Sequence, residues 1–337
     1  MRIIIDGMGG DNAPQSVIKG AIAASSETDA ELVLVGQEKV LSKALSKAGY
    51  SGDRISIVNA ESVITNDEAP VKAVRQKKDS SIVVGLGMVK KGEGDVFISA
   101  GSTGALLAGG FFYLGRIQGI DRPTLATIYP VMGKQPSLLT DAGANAECKP
   151  NNLLEFATMG SIYMEKVMGR ENPTVGLVNN GSEENKGTAL TKAAHDMLDK
   201  SRLNFIGNVE ARYLPEGACD VIVTDGFTGN AILKTTEGMG LIVLRELKRH
   251  FLSNVKTKMA SLLLSKELMA LKNEFNYTEY GGAPILGLKG GLIKMHGSSD
   301  ENAVKQTILK AIPFVEGKVV DVIQNSVYEI EEIVASE

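Results

Sequence analysis

The strongest constraint in this chain is a rhythm. Short runs that are apolar without interruption are set between longer amphipathic stretches. The runs are RIIID (2–6), ELVLVG (31–36), ISIVN (55–59), DVFISA (95–100), TLATIYP (124–130), SLLTDAG (137–143), TVGLVNNG (174–181), LNFIGN (203–208) and DVIVTDG (220–226). A strand that alternates apolar with polar buries one face, whereas an uninterrupted one is covered on both. Helical spacing fills the intervals at 14–25, 37–48, 69–76, 103–114, 152–167, 186–200 and 230–249. Strands alternating with helices predict an α/β fold: a doubly wound, mostly parallel sheet with helices on both faces. A further long helix is expected at 253–276, an irregular Gly-rich stretch at 277–303, and a final helix from about Asp300. No low-complexity linker marks a boundary, so a single domain over 1–337 is expected, with a helical projection at 245–276.

In an open parallel sheet the ligand sits beyond the carboxyl ends of the strands. The first run delivers Asp6, Gly7, Gly9, Gly10, Asp11 and Asn12 to that edge, and the fourth delivers Ser99, Ser102, Thr103 and Gly104. Later ends carry Asp141, Gly143, Asn145 and Lys149; then Asn179, Asn180, Ser182, Glu183, Glu184 and Lys186; then Asp225, Gly226, Thr228, Gly229 and Asn230. Glycines let backbone N–H groups approach a ligand, helix N-termini add partial positive charge, and hydroxyls and amides add donors at little steric cost. The ends together read as an anion site. The competing reading, level with it for any one loop, is that these residue types are what βα turns and N-caps use.

Several function classes are disfavoured. Lys186 precedes Gly187 in GSEENKGT, so the phosphate-loop spacing is not met, and GLGMVKKG (85–92) misses the third glycine of the dinucleotide fingerprint. No nicotinamide or other cofactor is therefore expected. His195, His250 and His296 are far apart, and no metal site is expected, although acids at the mouth could hold Mg²⁺. A net charge of −4, 5% aromatic residues and no Trp argue against nucleic-acid binding. Two cysteines suit a reducing, cytoplasmic setting, and neither a signal peptide nor a stretch of roughly 20 apolar residues is visible.

Six motifs in order, IDGMGGDNAP, SAGSTGALLAGG, DAGAN, NNGSEENKG, DGFTGN and YGGAPILGL, resemble the bacterial acyl-ACP:phosphate acyltransferase family of membrane-lipid synthesis, PlsX, from residue 1 to about 325. The resemblance implies transfer of an acyl chain from the thioester of acyl carrier protein to orthophosphate. The acyl phosphate would pass to a membrane-bound glycerol-3-phosphate acyltransferase. It implies a fold similar to phosphate acetyltransferases and to isocitrate and isopropylmalate dehydrogenases without their cofactor. It also implies a homodimer in peripheral contact with the membrane.

The residues suit that chemistry. A thioester is already activated, so the site must hold an anionic nucleophile against the carbonyl carbon and stabilise the oxyanion that develops. Lys186 sits at a helix start, against the local dipole, and is expected to bind phosphate and neutralise growing charge. Asn230 and Thr228 are expected donors to phosphate or carbonyl oxygen. Asp225 and Asp6 would orient Lys186 or an amide, or move a proton. Gly9, Gly10, Asn12, Ser102, Thr103, Gly104, Asp141, Asn145, Asn180 and Gly229 complete the expected binding set. Cys148, beside Lys149, offers a rival covalent acyl-cysteine route without a neighbouring His base. Cys219 reads as a small hydrophobe. His296, in KMHGSS, could line the mouth but reads first as a loop residue.

In the projection, Phe251, Leu252, Val255, Met259, Leu262–Leu264, Leu268, Met269, Leu271 and Phe275 mostly follow helical spacing, with Lys256, Lys258, Lys266 and Lys272 between them. The stripe suits a second subunit, a lipid interface or the wall of an acyl tunnel. Arg245, Lys248 and Arg249 are candidates to dock the acidic carrier. Two other functions remain in view. A dehydrogenase of the isocitrate type would need an arginine cluster where Arg75, Arg116 and Arg122 are scattered. A carrier-binding module would show binding without turnover.

Overall fold

The computed structural model describes residues 1–274 and 281–335. Phe275 and the first part of the Gly-rich stretch, 277–280, lie outside the described residues. The strands divide between two sheets rather than forming one. The first has the order β3-β2-β1-β4-β12-β11-β5. Its strands are β1 (Arg2–Asp6), β2 (Glu31–Gly36), β3 (Ile55–Asn59), β4 (Val96–Ser99), β5 (Thr124–Leu125), β11 (Ala283–Leu286) and β12 (Gly291–Lys294). Those from β3 to β12 run parallel, and β11 is antiparallel to both of its neighbours. The second sheet, β6-β7-β10-β8-β9, contains β6 (Thr127–Tyr129), β7 (Ser137–Thr140), β8 (Thr174–Asn179), β9 (Asn204–Glu210) and β10 (Val221–Val223). The run at 124–130 is therefore shared, with β5 in one sheet and β6 in the other. Ala126 stands between them, its N–H donating to the Pro284 carbonyl.

Successive residues of β1 explain its uninterrupted apolar run. Ile3 and Ile5 pack with Val17 and Ile18 of α1 (Gln15–Ser25) and with Val304 and Ile308 of α11 (Glu301–Glu316). Ile4 turns to the opposite face, against Val74 of α3 (Pro70–Gln76), Ile82 and Leu86 of α4 (Ser81–Lys90), and Leu106 of α5 (Thr103–Gly109). All three are fully buried, each worth about 1.5–3 kcal/mol. The second sheet is covered by α6 (Pro150–Lys166), α7 (Ala189–Asp199) and α12 (Val319–Ala335) through Phe156, Leu198 and Val327. Its other face joins the core that holds Ile4, through Leu139 and Ile222. One face of each sheet therefore looks toward the other.

From the second sheet, α8 (Gly226–Phe251) runs outward and is buried only at Gly226, Gly229, Leu233 and Gly240. The expected helix at 253–276 is two, α9 (Val255–Leu263) and α10 (Ser265–Glu274). Asn254 caps the first of them by accepting from the Thr257 N–H. The stretch read as irregular contains β11 and β12, a hairpin that returns to the first sheet and sets Lys294 beside Ser99 of β4.

Candidate active site

A cavity of about 510 Å³ opens between the two sheets. Thr103 enters it from the start of α5, and Lys294, Met295 and His296 from the end of β12. Gly143 and Ala146 enter from the loop after β7, and Phe227, Asn230, Leu233, Lys234 and Glu237 from one face of α8. Strand ends of both sheets thus converge, and two helices begin at the rim.

The acids that accompany the glycine turns face backward, away from any ligand. Asp6 is 1% exposed; its Oδ1 accepts from the N–H groups of Met8 and Gly9 at 3.0 Å, and its Oδ2 accepts from Ser99 Oγ at 2.6 Å. Burial raises its pKa against those hydrogen bonds. Gly10 follows at φ +100°, where a Cβ would stand 2.9 Å from that of Ala100. The next residues bind the loop that carries His296. The Asp11 N–H donates to the Gly297 carbonyl at 2.8 Å, and Asn12 Nδ2 donates to the Ser298 and Ser299 carbonyls at 3.2 and 3.4 Å.

Asp141 does the same work in the second sheet. Fully buried, it accepts at Oδ1 from Leu125, Gly143 and Ala144 N–H, and at Oδ2 from the N–H and Nδ2 of Asn145. Burial pushes its carboxyl up, opposed by these donors. Asn145 Nδ2 also reaches the Pro123 carbonyl, so its amide is spent inside the loop. Asp225 is the N-cap of α8, with one oxygen on the Thr228 N–H at 2.9 Å and the other on Thr228 Oγ1 at 2.8 Å. The side chains of Asp225 and Thr228 are thus satisfied by each other. Gly229 lets α8 lie directly on the Asp141 backbone. Ser102 is buried at the N-cap position of α5, and Gly104 packs on Pro70.

The structure brings Thr103 and Asn230 into the cavity, and Gly10 and Asn12 behind its His296 loop. It does not bring Lys186 or Asn180 there. Both are exposed on the loop after β8, where Asn179 Nδ2 donates to the Lys186 carbonyl and Asn179 Oδ1 accepts from the Asn180 N–H. Cys148 is half-buried. Burial first, then the carboxylates of Asp141 and Asp225, push its thiol up to about 11. That removes the thiolate the covalent route needs.

The cations in the cavity are ones the sequence reading did not weigh. Lys294 Nζ donates to the Met295 carbonyl at 2.9 Å, and among the described residues it has no carboxylate within ion-pair distance. Its pKa is lowered by burial and then by Lys234, against the opposing pull of the Glu237 carboxylate. Lys234 itself pairs with Glu237 at 2.7 Å. His296 is held below its ordinary pKa by burial, Lys294 and Lys234. Its Nδ1 accepts from the Ser298 N–H at 3.2 Å, which leaves the proton of the neutral ring on Nε2. The signal for Lys234 was available, because it lies one helical turn beyond Asn230 and shares its face. Lys294 closes a four-residue strand that starts on a pair of glycines, too short to announce itself.

The family model described as fatty acid synthesis protein matches residues 1–322. The phosphate acyltransferase of Clostridioides difficile (strain 630) is 50% identical over 321 residues, covering 95% of this chain and 94% of that one. The phosphate acyltransferase of Alkaliphilus oremlandii (strain OhILAs) is 52% identical over 327 residues, covering 97% of each. Among solved structures, a phosphotransacetylase from Streptococcus pyogenes superposes with a TM-score of 0.63 at 16% identity over 94% of both chains. A 4-hydroxythreonine-4-phosphate dehydrogenase from Klebsiella pneumoniae gives 0.51 at 13%, over 94% of this chain and 99% of that one. These two likenesses concern the fold.

Proposed function

This chain belongs to the fatty acid synthesis protein family and is a phosphate acyltransferase, and from that premise we propose that it moves a fatty acyl group from acyl carrier protein to orthophosphate in the cavity between its sheets. One observation carries this placement: Lys294 is a half-buried cation beside a second lysine in the cavity, and the one nearby carboxylate, Glu237, is paired with Lys234 rather than with it. A bound anion would hold such a group in its charged form.

Orthophosphate lies against Lys294 and Lys234 near the start of α8, whose dipole favours an anion. The acyl thioester enters along Leu125, Ala142 and Leu233, the apolar side of the same cavity. A phosphate oxygen attacks the carbonyl carbon. The Asn230 amide and the Thr103 hydroxyl donate to the oxygen that becomes negative. The carbon–sulfur bond then breaks and the thiolate leaves; Nε2–H of His296 is placed to donate to it. Acyl phosphate and free carrier are the products. Lys186, exposed on the neighbouring loop, keeps a proposed role in attracting phosphate.

In the same reading the protein is a cytoplasmic homodimer that meets the membrane from its side, and its product passes to a membrane-bound glycerol-3-phosphate acyltransferase. Support comes from α9, where Met259, Leu262 and Leu263 are 63, 76 and 85% exposed. Among the described residues no helix is long and apolar enough to cross a membrane. The reaction is tested by incubating acyl-ACP with orthophosphate and following acyl phosphate and free carrier by mass spectrometry. Phosphate-dependent release is expected; release without phosphate, or none, overturns the reading.

A further inference from the structure

A second surface draws attention because aromatic rings are left in water beside arginines. After α5 the chain makes one wider helical turn, Gly110–Leu114. On it Phe111 and Phe112 are 47 and 41% exposed, their rings edge-to-face at 5.7 Å. The Arg75 guanidinium lies 4.7 Å over the ring of Phe112, and that of Arg116 lies 5.3 Å over Phe111. Lys78 Nζ donates to the Tyr113 hydroxyl at 3.1 Å. Among the described residues, neither Arg75 nor Lys78 has a carboxylate within ion-pair distance.

Stacking fixes each guanidinium on one face; that of Arg75 keeps its N–H edge free for a carboxylate, whereas Arg116 already donates to the Asp121 carbonyl and pairs with its carboxylate at 3.4 Å. The entropy of ordering the side chain has already been lost, which lowers the cost of a contact. Arginine and aromatic residues together are what the centres of protein interfaces favour. A second copy of this chain would set arginine against arginine across a two-fold axis, which the charges oppose.

The patch adjoins the cavity. Thr103 lines the cavity at the start of α5, and Phe111 follows eight residues on, about 12 Å along a helix. Pro70, the first residue of α3, touches Gly104 beside the mouth. A carrier protein presents its thioester on an extended arm, so its acidic body docks at a distance from the reacting carbon.

We propose that the face formed by Arg75, Lys78, Phe111, Phe112 and Arg116 docks the acidic carrier protein; this rests on the donor proposed above. The competing surface is Arg245, Lys248 and Arg249 on α8, beyond the part of that helix that lines the cavity; Arg249 there is paired with Glu246, as Arg116 is with Asp121.

The test is steady-state kinetics of the Arg75→Glu/Lys78→Glu double variant, with acyl-ACP and with acyl-pantetheine as a donor without a protein body. KM for acyl-ACP should rise at least about tenfold, kcat should stay within about twofold, and the acyl-pantetheine rate should not change. Phe112→Ser should reproduce the KM effect. An unchanged KM overturns the assignment, as does the same loss from Arg245→Glu/Lys248→Glu with the first pair silent. A change in oligomeric mass of the Arg75→Glu/Lys78→Glu variant overturns it in favour of a second copy. Failure of the wild-type protein to consume acyl-ACP at all overturns the donor, and this docking face with it.

Discussion

A Cβ at position 229 would stand 1.9 Å from the carbonyl oxygen of Asp141. The start of α8 therefore rests directly on the backbone of the loop after β7, with no side chain between. Gly229→Ala must push the two apart, because the atom it meets is backbone. Overpacking of this kind costs about 1–3 kcal/mol. Denaturant unfolding should show a loss of that size, and turnover should fall by more than about tenfold as Asn230 moves off the acyl carbon. Wild-type activity in this variant would mean that the start of α8 is not part of the site.

Asp141→Asn should be more damaging than its size suggests. Both oxygens of Asp141 accept hydrogen bonds from N–H groups. Either orientation of an amide turns an NH₂ toward donors, leaving buried groups unsatisfied at about 1–3 kcal/mol. The expected outcome is a lower melting temperature together with lost activity. A variant as stable as wild type would show that the loop does not depend on that carboxylate.

Cys148→Ser should retain activity within about threefold, since a thiol held up at about 11 supplies no thiolate near neutral pH. Quenched turnover mixtures should contain no acyl-cysteine peptide. Trapping one would restore the covalent route.

Alkaline pH should weaken phosphate use earlier than an ordinary lysine allows. Lys294 binds an anion only when protonated, and its pKa is lowered from 10.5 by burial and by Lys234. kcat/KM for phosphate should therefore fall as pH rises through that lowered value. The stability effect has the opposite sign. A lysine whose folded pKa lies below its unfolded one costs stability while it is charged; that cost begins to be relieved as pH passes the folded value and is gone above the unfolded one. Lys294→Met should abolish the alkaline limb and leave stability unchanged or raised. A limb that survives the substitution would belong to another group.

Much of this arrangement was legible in the amino-acid order. The uninterrupted runs at 2–6, 31–36 and 220–226 are strands covered on both faces, and their ends do carry turns of glycine, hydroxyl and amide. The role of the acids was harder to see. Asp6, Asp141 and Asp225 precede the glycine turns because they gather backbone N–H groups from behind. The split into two sheets turns on Ala126, one residue between two short strands, and no local pattern announces it. Lys294 was missed because its strand has four residues and its neighbour in the sheet, Ser99, lies nearly 200 positions earlier.

The central claim is that phosphate is gripped at Lys294, inside the cavity between the sheets. Its most direct test is the phosphate dependence of acyl-ACP cleavage by Lys294→Met, set beside Lys186→Ala. Loss of one charge contact should lower kcat/KM for phosphate by about a hundredfold at Lys294, with a smaller loss at Lys186. Normal phosphate dependence in Lys294→Met, with activity abolished in Lys186→Ala, would contradict it and move the nucleophile to the loop after β8.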